Sequence, residues 1–159
     1  MSMIIGLALA MTVTGFPKPL RQPIRLWVRG LLIQPFSFVL FSFRGQIPDW
    51  LSIIVGNVLL VIAFAHIIQA LRIYNRKPPL IPTQCFLIAI TLIGTSLMTY
   101  VWPSLYGRIV LISLVIATQA GIGIDAIYRK QRRITRPEHM VAILLLLGLF
   151  IMLARAMKM

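Results

Sequence analysis

The chain has 159 residues, of which 59% are hydrophobic and 12% charged, and it carries a formal net charge of +13. Soluble domains carry about 25% charged residues, and a soluble domain of this size has too little interior to hide so apolar a composition. That excludes an ordinary soluble domain, and no nucleic acid is expected as partner, because the basic residues sit in short loops between apolar runs, as membrane topology is encoded.

The pattern predicts an all-α, polytopic integral membrane protein: one domain over 1–159, built as a bundle of about six transmembrane helices. Residues 2–16 are apolar and uncharged. The stretch is shorter than the roughly 20 residues of a standard span, so a short first helix is expected. No basic residue precedes it, which argues against a signal peptide. Pro17, Pro19 and Pro23 then predict a break, studded with Lys18, Arg21 and Arg25. A second helix is expected over 24–43, with Arg25 and Arg29 snorkelling from its first turns and Pro35 kinking its middle.

The third helix, 50–71, organises the rest. A polar turn, RGQIPDW, leads into LSIIVGNVLLVIAFAHIIQAL, which has no formal charge. At about 1.5 Å per residue this helix reaches roughly 33 Å, enough for a bilayer core of about 30 Å. Gly45 is expected to take positive φ in the turn and Pro48 to stiffen its exit. Asp49 suits a helix N-cap, Trp50 an interfacial anchor, and Arg44 an ion pair with Asp49. Asn57, His66 and Gln69 are polar residues inside the span.

A loop rich in proline follows, with Arg72, Arg76 and Lys77. A fourth helix is predicted over 83–101. Trp102-Pro103-Ser104 forms a tight turn, and Tyr100, Trp102 and Tyr106 an aromatic belt. The fifth helix is 105–127, with Arg108 near its start. The most basic segment, YRKQRRITRPEH, precedes a sixth apolar run over 140–157.

The loops after the first, third and fifth helices hold twelve of the sixteen Lys and Arg residues. The positive-inside rule puts those loops in the cytoplasm and the N-terminus outside. The lipid bilayer is the expected partner, with anionic headgroups at the basic loops and self-association through helices as further contacts.

Each candidate residue has a plainer reading. Asn57 and His66 are functional candidates as polar groups inside a membrane, or else interhelical hydrogen bonds that fix packing. His66 and Gln69, three apart, share a helix face; Asn57 lies about half a turn away in phase. Asp125 is a proton or cation site, or simply a partner for Arg129 four residues on. Ser113, Ala117 and Gly121 form a small-residue stripe suited to close packing, within the bundle or between copies. No metal site is expected from two histidines, His66 and His139, nor a disulfide or cysteine cluster from the single Cys85. No cofactor is expected, and no base is positioned for nucleophilic chemistry.

The stretch RGQIPDWLSIIVGNVLL resembles the N-terminal membrane region of bacterial sensor proteins that end in a GGDEF diguanylate cyclase domain. The residues that carry the likeness are Arg44, Gly45, Pro48, Asp49, Trp50, Leu51, Ser52, Ile53 and Asn57, within a match of about 25 residues. The resemblance implies a sensory, signal-transducing module in a bacterial inner membrane. This sequence has no GGDEF motif and no nucleotide-binding loop, so no enzymatic activity is expected of it. Six helices with the N-terminus outside would end outside, whereas a cyclase domain works in the cytoplasm. The chain therefore reads as a sensor region truncated before its last helix. The alternatives are a small transporter or channel, which usually shows paired broken helices or several intramembrane charges, and a nonfunctional gene remnant.

Overall fold

The computed structural model describes residues 15 and 17–128. Over them the chain is helical, with four main elements: α1 Lys18–Ser42, α2 Trp50–Tyr74, α3 Ile81–Tyr100 and α4 Leu105–Tyr128. All four are long and apolar enough to cross a membrane. Of the six expected helices, 140–157 lies outside the described residues, and so does 2–16 apart from Gly15.

α1 starts six residues before the expected break at 17–23 would allow. Pro17 itself stays outside, with φ −54° and ψ 144°. Pro19 occupies the first helical turn, where a missing N–H has no intrahelical partner to lose and the fixed φ is already helical. Pro23 and Pro35 lie inside the helix. Each removes one donor, to the carbonyls of Pro19 and Leu31, and membrane helices tolerate such losses. At their adjoining ends α2 runs to Tyr74 and α3 begins at Ile81, so the loop between them is shorter than the prolines implied.

α2 is the hub. It packs against α1, α3 and α4, whereas among the described helices α1 packs its backbone on α2 alone. Gly30 explains how closely α1 approaches: a Cβ there would lie 2.7 Å from the carbonyl oxygen of Ala63 and 2.7 Å from Ile67 Cγ1. Val61, Leu87 and Val115, one from each of α2, α3 and α4, form the buried apolar centre. Phe36, Phe86 and Ile93 point outward and are exposed, as a lipid-facing surface requires. The small-residue stripe of α4 turns away from the bundle as it descends. Ser113 is buried, but a Cβ on Gly121 would meet nothing within 4 Å among the described residues.

The two ends of the bundle are built differently. At one end, Gly45 takes φ +87° as the turn demands, and the Phe43 carbonyl accepts from Gln46 and Ile47 N–H groups at 2.9 and 3.2 Å. Trp50, Tyr100, Trp102 and Tyr106 are all exposed at this end. At the other, α2 closes in a Schellman motif: Lys77 N–H bonds the Arg72 carbonyl and Arg76 N–H that of Ile73. Arg76 takes the left-handed position, φ 57°, usually given to glycine.

Candidate functional site

The first six residues of α2, Trp50–Val55, are π-helical. The wider turn changes what Asp49 can do. Its backbone is already helical, φ −58° and ψ −36°, and its side chain makes no cap hydrogen bond. An N-cap needs an extended backbone to aim the carboxylate at the first amides. Here the Pro48 carbonyl accepts from Leu51 and Ser52 N–H groups instead, so the helical path begins a residue earlier than the expected cap. The expected Arg44–Asp49 ion pair is not formed either; among the described residues the ion pair present is Lys77–Asp125, at the other end.

Where the π turn relaxes into α-helix, Asn57 Nδ2 donates to the Ile53 carbonyl at 2.6 Å. Asn57 thus closes on its own helix rather than on a neighbour. A π-bulge with a side chain set into its ladder is a frequent mark of a functional site.

Beside it lies a cleft of about 480 Å³. It exists because α1 and α4 both rest on α2 without packing on each other, so α2 forms a floor between two walls. The walls are largely apolar, with Phe38 and Phe41 from α1 and Ile109, Ile112 and Ile116 from α4. Polar groups also line it: Arg44, Ser52 and Arg108 near the aromatic end, and Gln34, Asn57 and Ser113 farther along their helices. Arg108 lies close enough to Arg44 and Asp49 to feel both charges. Its Nε is buried and has no hydrogen-bond partner among the described residues.

A second set of polar side chains ties the helices together deeper in the bundle. Gln119 is fully buried; its Nε2 donates to the Val61 carbonyl at 3.1 Å and to Gln84 Oε1 at 2.8 Å, joining α4 to α2 and α3. Gln69 Oε1 accepts from Leu80 N–H at 3.2 Å, where α3 begins. His66 Nδ1 donates to its own helix, at the Ile62 carbonyl, 2.9 Å away. Asp125 meets Lys77; Arg129, its expected partner, lies outside the described residues.

The sequence candidates therefore fall into two groups. Arg44 and Asn57 line the cleft; Asp49 acts on Arg108 there through its charge, and exposed Trp50 follows Asp49 at the start of α2 without lining the cavity. Gln69 and Asp125 belong to the opposite end, and His66 serves its own helix between them. Sequence reasoning names Arg108, Ser52 and Ser113 only as a topology marker, a motif residue and a packing residue, not as groups of one cleft, and passes over Gln34 in the cleft and Gln84 and Gln119 in the core. An arginine and uncharged amides inside apolar runs were the available signal. Among the described residues no group of three or more His, Cys, Asp or Glu side chains is placed to hold a metal ion. No protein-family model, curated protein or solved structure matches the chain.

Proposed function

We propose that the chain is a membrane-embedded sensory module, similar to the input region of bacterial diguanylate cyclases, that receives its stimulus at the cleft. The supporting observation is convergence. Arg44, Ser52, Ile53 and Asn57, four residues of the stretch on which the family likeness rests, line one cavity beside a π-helical turn. A motif kept for packing alone would fill its space instead of walling a cleft. On the positive-inside rule the cleft opens at the outer face of the inner membrane, and the Schellman end faces the cytoplasm. A transporter reading has less support, because the described helices include one interrupted helix instead of a matched pair.

The test is cellular. Deleting the gene in its native host is expected to shift the cyclic di-GMP level, and the full chain supplied in trans to restore it. Arg44→Gln and Asn57→Leu are expected to restore it poorly while reaching the membrane in normal amount. A level that never responds to deletion would overturn the sensory reading.

A further inference from the structure

We propose that the cleft binds an anionic phospholipid, with the phosphate held at Arg44 and Arg108 and one acyl chain lying on the apolar floor of α2. This deepens the sensory reading, which supplies its physiological meaning; the binding itself stands on the following observations.

The mouth carries an unbalanced charge. Arg44 and Arg108 are two cations and Asp49 is one anion, so a single positive charge is left over, with no ion pair between Asp49 and either arginine. Charge at the edge of a low-dielectric medium is expensive to leave uncompensated. Among the described residues the buried Arg108 Nε–H has no acceptor, so it is a donor open to a ligand.

The rest of the chain has little to offer. Its acidic residues are Asp49, Asp125 and Glu138. Asp125 is paired with Lys77 at the opposite end, and Glu138 follows in the basic segment after α4. The apolar stretches 2–16 and 140–157 contain no acidic residue, and the latter carries Arg155. Neither brings an anion to this mouth.

The surroundings do. Phe38 and Leu105 on the rim are 52% and 54% exposed, so the cleft opens toward lipid. Exposed Trp50, Trp102 and Tyr106 set that rim at headgroup depth. An acyl chain matches the isoleucine and phenylalanine walls. A phosphodiester supplies one negative charge and oxygen acceptors that guanidinium forks match. A zwitterionic headgroup would bring its own cation and leave the surplus charge in place.

The experiment uses the full chain with Trp27→Phe and Trp102→Phe, so that Trp50 is the remaining tryptophan. It is reconstituted in neutral phosphatidylcholine bilayers, and brominated phosphatidylglycerol or brominated phosphatidylcholine is added as quencher. Stronger quenching of Trp50 by the anionic lipid is expected. The preference should vanish in Arg44→Gln/Arg108→Gln and persist in Arg76→Gln, which removes a charge at the other end. Arg44 is exposed, so Arg44→Gln alone should already weaken the preference if the double variant fails to fold. Ile112→Phe narrows the cleft without altering charge and should reduce quenching by the brominated chain. Equal quenching by the two lipids, or a preference that survives the arginine substitutions, overturns the proposal. Inorganic phosphate that displaces the lipid effect would mark a free-anion site and overturn it as well. If binding holds but Arg44→Gln leaves cyclic di-GMP unaffected in cells, the sensory reading falls and the lipid site stands.

Discussion

Lys77 reaches from the α2–α3 connection to the end of α4, where its Nζ lies 2.6 Å from the backbone carbonyl oxygen of Asp125 and 3.2 Å from Asp125 Oδ2. One ammonium thus satisfies a late carbonyl of α4 and pairs with a carboxylate on the same turn. A cation at a helix C-terminus is favoured by the aligned peptide dipoles. The contact also pins the Schellman loop to a helix from which α3 separates it in sequence.

Removing the two partners should therefore have unequal effects. Lys77→Met loses both bonds, and hydrogen bonds to charged groups contribute about 1.5–3 kcal/mol. Asp125→Asn keeps the carbonyl acceptor, and with the side chain 40% exposed the lost ion pair is worth only about 0–1 kcal/mol. Thermal unfolding of the reconstituted protein should rank Lys77→Met clearly below Asp125→Asn. The reverse order would show that the side-chain pair, not the carbonyl, is the main contact.

The Gln84–Gln119 pair is a buried side-chain link between α3 and α4. Gln119→Leu leaves Gln84 Oε1 without a donor in a buried site, and such an orphan costs about 1–3 kcal/mol. Replacing both glutamines removes the orphan along with the bond. The double variant should thus be less destabilised than the two singles added together, with a coupling of about 0.6–1.7 kcal/mol. Strict additivity in an unfolding cycle would mean that the amides do not interact in the bilayer.

Much of the helical layout was legible because long uncharged runs admit few alternatives to a spanning helix. The start of α1 was not, since Pro19 and Pro23 read as breaks, yet a first-turn proline forfeits nothing. Asp49 looked like a cap because capping depends on backbone angles that residue type alone does not reveal. The cleft was half visible. Arg44 and Asn57 stood out as polar residues in a motif, but Arg108 lies 51 positions after Asn57 and joins them only through the packing of α4 on α2. Gln84 and Gln119 carry no charge to break a hydropathy run, so they vanish into one.

Arg76 holds a left-handed conformation that is unfavourable by about 1–2 kcal/mol for an L-residue with a side chain. Arg76→Gly should relieve part of this and stabilise the fold by about 1 kcal/mol, less the entropy that glycine adds to the unfolded chain. On the positive-inside reading the Arg76 charge contributes to orientation, a role that glycine cannot take. Arg76→Gly should accordingly raise the unfolding temperature while weakening the orientation bias; a lowered unfolding temperature would contradict the Schellman geometry.

Orientation itself has a direct measurement. With Cys85 replaced, cysteines are introduced singly at Gln46, in the exposed turn before α2, and at Pro79, in the connection after it. A membrane-impermeant thiol reagent applied to intact cells should label position 46 and spare position 79 until the membrane is opened. Labelling of position 79 alone from outside would invert the bundle and put the cleft on the cytoplasmic face.

Two glycines separate close packing from helix propensity. In an exposed helix interior Gly→Ala is favourable by about 0.8–1.0 kcal/mol, because alanine loses less backbone freedom on folding. Gly121 offers that case, since an added Cβ there meets nothing within 4 Å among the described residues. Gly30 offers the opposite one. Its added Cβ would sit 2.7 Å from the Ala63 carbonyl oxygen, a backbone atom that cannot rotate away, so α1 must lift off α2. Overpacking of this kind costs about 1–3 kcal/mol, which exceeds the propensity gain. Gly121→Ala should therefore leave stability unchanged or raised, and Gly30→Ala should lower it. Because α1 forms one wall of the cleft, Gly30→Ala should also widen it and weaken quenching of Trp50 by brominated phosphatidylglycerol. A Gly30→Ala protein as stable as its parent would mean that α1 does not approach α2 as closely as the Gly30–Ala63 contact requires.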